Sequence, residues 1–198
     1  MNDPIDLFGI TTSSLELISF VLAVITVVLN IRRVHWAWLF SIVSSATYGV
    51  VFYQSLLYGG AALQVVFIVV SVWGWHQWLH GGDKHDLLPV TRSSKQVLLW
   101  AGAAWAVGFV LIAGFLDHYT DTDVPYPEGF LTAGSLVGQL LLARKKVENW
   151  IVWIIVDVLY VGLFVFKGLN LTAVLYAVFV VLASIGLSTW YRHSSDKP

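Results

Sequence analysis

Apolar stretches of membrane-spanning length recur along the whole of this chain, and few folds can accommodate that recurrence. They occupy residues 15–30, 36–53, 61–79, 97–116, 130–143, 150–166 and 171–191. Crossing hydrocarbon takes about 20 apolar residues in a helix, because lipid offers the backbone no hydrogen-bond partners and a helix satisfies its own. The fifth stretch is the shortest, and an earlier start near Tyr126 would lengthen it. A transmembrane barrel would need alternation of period two, which these stretches lack. The chain is therefore expected to be an all-α membrane protein with seven transmembrane helices. Its composition agrees: 58% hydrophobic and 12% charged, with mean hydropathy +0.76, outside the soluble range.

Charge sorts by side. Alternating the loops across a bilayer gathers Arg32, Arg33, Lys84, Arg92, Lys95, Arg144, Lys145, Lys146, Arg192 and Lys197 on one face. Lys167 alone falls opposite, beside Asp117, Asp121, Asp123 and Glu128. The positive-inside rule then places the N-terminus outside and the C-terminus in the cytoplasm. Six or eight helices would scramble this sorting. The N-terminus carries Asp3 and Asp6, with no basic residue before Arg32, so it does not read as a secretory signal. The absence of cysteine removes disulfides and thiolate metal sites from consideration.

The sequence also repeats. A shift of 112 residues (150 minus 38) sets Trp38 on Trp150, Tyr48 on Tyr160 and Phe52 on Phe164. The same shift pairs Ala61 with Ala173, Leu63 with Leu175, Phe67 with Phe179, Gly74 with Gly186 and Trp78 with Trp190. Leu and Val matches arise by chance between apolar segments, whereas ungapped matches at Trp, Tyr and Gly do not arise so readily. Four helices separate the copies, so they run parallel. The expected plan is two three-helix bundles joined by a linker helix, a 3+1+3 arrangement. Residues 1–94 hold the tail and first bundle, 95–117 the linker, and 118–198 the acidic loop, second bundle and C-terminal tail. Parallel repeats of this kind are a transporter plan with the substrate site near midplane.

One residue stands out at that depth. Asp157 is the only charge between Ile151 and Phe166, and an acid in the middle of a lipid-exposed helix costs roughly 2.5–3.5 kcal/mol on insertion scales. Trp150, Trp153, Asp157 and Tyr160 share one helical face. An acid framed by aromatic planes suits a flat, polar or cationic small molecule. The equivalent face of the first copy carries Trp38, Ser41, Ser45 and Tyr48. Gln64, its repeat partner Tyr176, and Gln139 add polar groups at membrane depth, completing the usual make-up of a small-molecule site. Each has a plainer alternative. Trp38, Trp78, Trp150 and Trp190 lie at helix ends, where Trp anchors at the interface. Gln64 and Gln139 can bond between helices, Ser41 and Ser45 can be close-packing positions, and Asp157 can pair with a group on another helix. His76 and His80 have a metal-compatible spacing, with His85 near, but no fixed companion ligand, so a solvated pair is the simpler account. The cluster Arg144, Lys145, Lys146 reads first as a topology determinant.

Enzymes fit poorly. An intramembrane aspartyl protease needs two acids at depth, and a serine protease needs a buried His. A retinal protein needs Lys in the last helix, which residues 171–191 lack. A seven-helix receptor or sensor remains as a distant alternative. Nothing suggests nucleic acid, a metal or a held cofactor.

Two stretches carry a specific resemblance. Gln54–Gln64 fits Q-x-x-L-Y-x-x-x-x-L-Q, and residues 73–78 fit Y-G-W-x-x-W with Trp73 in place of Tyr. Glu148–Trp153 fits E-N-W-x-x-W. In these motifs, and over about residues 30–190, the chain resembles the PnuC family of vitamin transporters. The resemblance implies uptake of nicotinamide riboside, or alternatively thiamine, across the inner membrane by facilitated diffusion. It further implies a homotrimer in membrane lipid, with the vitamin trapped by a cytoplasmic kinase. Both vitamins are flat cations, and a desolvated Trp face attracts such a cation by roughly 0.5–2 kcal/mol. One departure matters: riboside members often carry Asn where this chain has Asp157.

Overall fold

A computed structural model of the chain describes residues 4–7, 10–54, 58–82, 87–168 and 170–194. Two short strands, β1 (Pro4–Leu7) and β2 (Ile10–Ser13), pair antiparallel with Pro4 opposite Ser13 and Leu7 opposite Ile10. The apolar stretches did not announce this hairpin, which is too short to carry a hydropathy signal. Seven helices follow: α1 (Ser14–Ile31), α2 (Ala37–Gln54), α3 (Tyr58–His80), α4 (Lys95–Tyr119), α5 (Pro125–Ala143), α6 (Asn149–Phe166) and α7 (Asn170–His193). Each falls on one of the expected stretches. The fifth does begin early, because Pro125 supplies a preset φ at the first turn and Glu128 faces the positive helix end. By length and composition α4, α6, α7 and the Ala61–His80 part of α3 can cross a membrane, while α1 and α2 carry shorter apolar segments.

Helix α2 packs on α1 and α3, and α6 packs on α5 and α7. The two groups touch through α3 against α5 and α1 against α7, while α4 lies along α5. The far side of α4 exposes Leu99, Trp100, Val107, Val110, Leu111 and Phe115. In lipid such a face carries no hydrophobic penalty.

The repeat is visible in the backbone. Among the described residues, Arg33 (φ 60°) and Lys145 (φ 48°) are the only non-glycine residues with positive φ, and they stand 112 positions apart. Their turns are bonded alike: Val34 N–H donates to Leu29 and Lys146 N–H to Leu141, both at 3.0 Å. Two further matching bonds, Trp38 N–H to His35 and Trp150 N–H to Val147, start α2 and α6. Side chains at these turns differ, so the hydrogen bonding of the turn offsets the left-handed penalty of about 1–2 kcal/mol in each copy.

Four tryptophans fill the end of the bundle where the basic loops gather. Trp38 meets Trp78 edge-on (5.4 Å between ring centroids, 86°), and Trp150 meets Trp190 in nearly the same geometry (5.3 Å, 87°). Trp78 and Trp190 touch across the two copies at 6.0 Å. All four are buried, which corrects the anchoring expected for Trp78 and Trp190. Glycine makes room for their partner rings: a Cβ on Gly74 would stand 2.5 Å from the Trp38 ring, and one on Gly186 2.7 Å from the Trp150 ring. Buried indole N–H groups need acceptors, and the ends of α1 and α5 have free carbonyls. Trp78 Nε1 donates to the Leu142 carbonyl (3.1 Å), and Trp190 Nε1 to those of Asn30 (3.2 Å) and Ile31 (3.1 Å).

The segment before α4 is stitched to the α5–α6 turn. Thr91 N–H donates to the Lys145 carbonyl, and Val147 N–H to Thr91, both at 3.1 Å. Glu148 accepts from Ser93 N–H at 2.9 Å, and Lys146 Nζ donates to Thr91 Oγ1 at 2.9 Å. Lys145 is 6% exposed, donates to the Leu88 carbonyl at 2.8 Å and lies 4.5 Å from the Trp78 ring centroid. Burial, then the nearby Arg33 charge, pushes its ammonium down to about 8. The basic cluster thus fastens loops as well as carrying charge. At the opposite end Lys167 pairs with Asp123, a hydrogen bond that holds that carboxyl below its ordinary range.

Candidate functional site

Asp157 lies midway along α6, 3% exposed, with Oδ1 lacking any hydrogen-bond partner. Phenols gather around it. One turn on, the Tyr160 hydroxyl lies near the side chains of Ser135 and Thr132 of α5. The Tyr160 ring packs on Tyr176 of α7 (4.7 Å) and stacks on Phe164 (5.4 Å, 12°), while Tyr176 also meets Phe179 (5.5 Å). Asp157 and Tyr48 of α2 lie in the neighbourhood of Tyr176. Tyr48, Asp157, Tyr160 and Tyr176 are therefore brought together from both copies, as three phenols and an acid among aromatic rings.

A second polar group lies between α2, α3 and α5. Ser41 and Ser71 hydroxyls are 3.0 Å apart, and Gln139 Nε2 donates to Ser71 Oγ at 3.4 Å. The repeat equivalents of this chain are Trp153, Ala183 and Val27, none of which can extend it except through the indole N–H. Where the first copy carries the Ser41 hydroxyl, the second carries the Trp153 indole. Trp153 is partly buried, with its ring 3.1 Å from where a Cβ on Gly138 would stand. Gln64 is partly buried and packs near Gly49 of α2.

Trp38 and Trp150 lie elsewhere. Both are in the tryptophan tetrad, and seven residues separate Trp150 from Asp157, about 10 Å along a helix. Sequence reasoning passed over Ser71, Thr132 and Ser135. Thr132, Ser135 and Gln139 share one face of α5 at i, i+3 and i+7, a polar stripe that could have revealed them. Among the described residues no three potential metal ligands cluster. His80 Nδ1 contacts the His76 carbonyl at 3.3 Å, and His85 lies outside the described residues. The assembled groups can recognise a ring by stacking and hydroxyls by hydrogen bonding. They include no activated nucleophile.

Comparison with known proteins bears on the family and the fold. The family model described as nicotinamide mononucleotide transporter matches residues 13–192. The chain is 30% identical over 185 residues to the riboflavin/roseoflavin transporter RibM of Streptomyces davaonensis, covering 90% of this chain and 85% of that protein. It is 22% identical over 185 residues to the nicotinamide riboside transporter PnuC of Escherichia coli, covering 81% and 77%. The crystal structure of the vitamin B3 transporter PnuC superposes with a TM-score of 0.73 at 24% identity, over 91% of this chain and 83% of that one. The fold is that of the solved transporter.

Proposed function

This chain belongs to the nicotinamide mononucleotide transporter family, a membrane transporter and not an enzyme, and from that premise we propose that it carries a vitamin built of a flat ring and a ribose-derived arm. The observation behind this reading is the buried, singly unbonded carboxyl of Asp157 among tyrosine rings. A cationic ring such as that of nicotinamide riboside would supply the missing counter-charge, and its ribose hydroxyls would meet Tyr48, Tyr160 and Tyr176. Trp153 would form an aromatic wall. Ser41, Gln64 and Gln139 would orient the polar arm, and Trp38 and Trp150 would close the basic end.

Riboflavin is the second reading, favoured by the 30% identity to a riboflavin transporter. Its ring is neutral and carries an imide N–H between two carbonyls. The Ser41–Ser71–Gln139 chain offers donors and acceptors for such an edge. Both vitamins share the polyhydroxylated arm, whereas thiamine lacks it and ranks third. Transport by facilitated diffusion, with trapping by a cytoplasmic kinase, suits helices in which, among the described residues, Asp157 is the one buried acid and no relay is formed. The unpacked face of α4 suits a homotrimer in the inner membrane.

Calorimetric titration of the detergent-purified protein with nicotinamide riboside, riboflavin and thiamine tests the reading. Saturable riboside binding supports the cationic form, and riboflavin binding with riboside silent supports the neutral one. Binding of neither removes the proposed class.

A further inference from the structure

The four tryptophans make two rigid pairs and one seam. Trp38 and Trp78 belong to the first copy, Trp150 and Trp190 to the second, and the matched edge-on geometries show each pair to be one unit seated on its own glycine. Ring contact between the copies in this tetrad runs only through Trp78 and Trp190. The indole hydrogen bonds cross the same seam in both directions. Trp78 of the first copy donates to Leu142 of the second, and Trp190 of the second donates to Asn30 and Ile31 of the first. Asn30 and Leu142 are themselves repeat equivalents, so the exchange is reciprocal. A passage between the copies at this end would have to part those rings and break those bonds.

We propose that the tetrad is the gate of the basic end, its leaves the two tryptophan pairs and its latch the reciprocal indole-to-carbonyl hydrogen bonds. The closed state carries a built-in handicap. Nε1 of Trp38 and Nε1 of Trp150 are buried without acceptors, and a buried unpaired donor forfeits its hydration. Parting the leaves wets both donors, which offsets the bonds broken and keeps open and closed states close in energy. The proposal needs only a passage between the copies and does not depend on which vitamin is carried.

The chain has no cysteine, so a single reporter can be read against a silent background. Ala183 is buried one turn inward of Gly186, and Ala183→Cys places a thiol just behind the gate. Its modification by a membrane-impermeant maleimide is measured in vesicles exposing the basic end. Labelling should be slow in the Ala183→Cys background and about fivefold faster after Trp78→Phe, the scale of one neutral hydrogen bond. Trp190→Phe should accelerate it at least as much, since that indole meets two carbonyls. Trp105→Phe is the control, because its Nε1 bonds Phe130 within the α4–α5 contact, and it should leave the rate unchanged. A benzothiophene isostere of Trp78, which keeps the ring and lacks the N–H, should label as fast as Trp78→Phe. Slow labelling of that isostere, unchanged rates in folded Trp78→Phe and Trp190→Phe, or equal acceleration by Trp105→Phe would each overturn the latch. No vitamin is added, so this failure is distinct from failure of the substrate reading.

Discussion

The carboxyl of Asp157 has an oxygen with no partner, so its substitution reports on the charge of whatever fills the space beside it. If the ligand is a cation, Asp157→Asn should weaken its binding by about tenfold to a hundredfold, the range of a charged hydrogen bond. A neutral ring should be affected far less, and melting temperature should not fall. Lowered stability with unchanged ligand preference would instead make the acid a structural group. Trp153→Ala should cost up to about thirtyfold in affinity while the protein stays folded, since an aromatic face is worth up to about 2 kcal/mol to a desolvated cation; full affinity would remove Trp153 from the site. At this scale legibility followed the cost of burial. A carboxylate in an apolar run is conspicuous because nothing in lipid tolerates it. Ser71, Thr132 and Ser135 were missed because a hydroxyl hardly alters hydropathy. Trp78 and Trp190 were read as anchors because a helix end suits an interfacial indole and a buried one equally. Only the partner helix decides which.

Element by element, the close approaches belong to glycine and the charged turn to Lys145. Gly74→Ala and Gly186→Ala each drive a methyl into an indole ring, and overpacking of that kind costs about 1–3 kcal/mol. Both should lower the melting temperature in thermal unfolding. Gly114→Ala, with nothing within 4 Å, should not, and helix propensity favours it by up to about 1 kcal/mol. Lys145 gives a pH dependence with a definite sign. Its folded value is about 8 against an ordinary value of 10.5, so between those limits the unfolded chain binds more protons. Stability must then rise with pH across that window, by at most about 1.4 kcal/mol per pH unit. Below 8 the penalty for a buried ammonium is present in full. Comparing the melting temperature of the wild type with Lys145→Met from pH 7.5 to 9.5 isolates this group, whose contribution should vanish in the variant. None of this was open to sequence reading, which sees three adjacent basic residues and cannot tell the buried one from its neighbours.

For the whole molecule, all seven helices and the repeat were legible, because hydrocarbon thickness sets helix length and aromatic matches survive where aliphatic ones blur. How the copies join was not legible, since it depends on contacts between residues more than 60 positions apart. Two predictions belong here. Lys95→Cys should be modified only from the cytoplasmic side and Asp121→Cys only from outside; the reverse pattern would invert the proposed orientation. Initial uptake into vesicles should follow the vitamin gradient and be indifferent to an imposed proton gradient, and a dependence on protons would exclude simple facilitated diffusion.

The reciprocal bonds from Trp78 and Trp190 have a consequence for ancestry and for engineering. Viewed as two subunits, the copies meet through an isologous interface, each giving the other the same donor and receiving the same acceptor. A half-length ancestor could have met its own twin in this way before any fusion, with α4 later adding the crossing that keeps both halves pointing the same way. Such a twin would be obliged to carry its buried acid twice or not at all. Fusion alone permits a carboxyl at Asp157 with the hydroxyl of Ser45 at the equivalent position, and so two halves of unlike polarity.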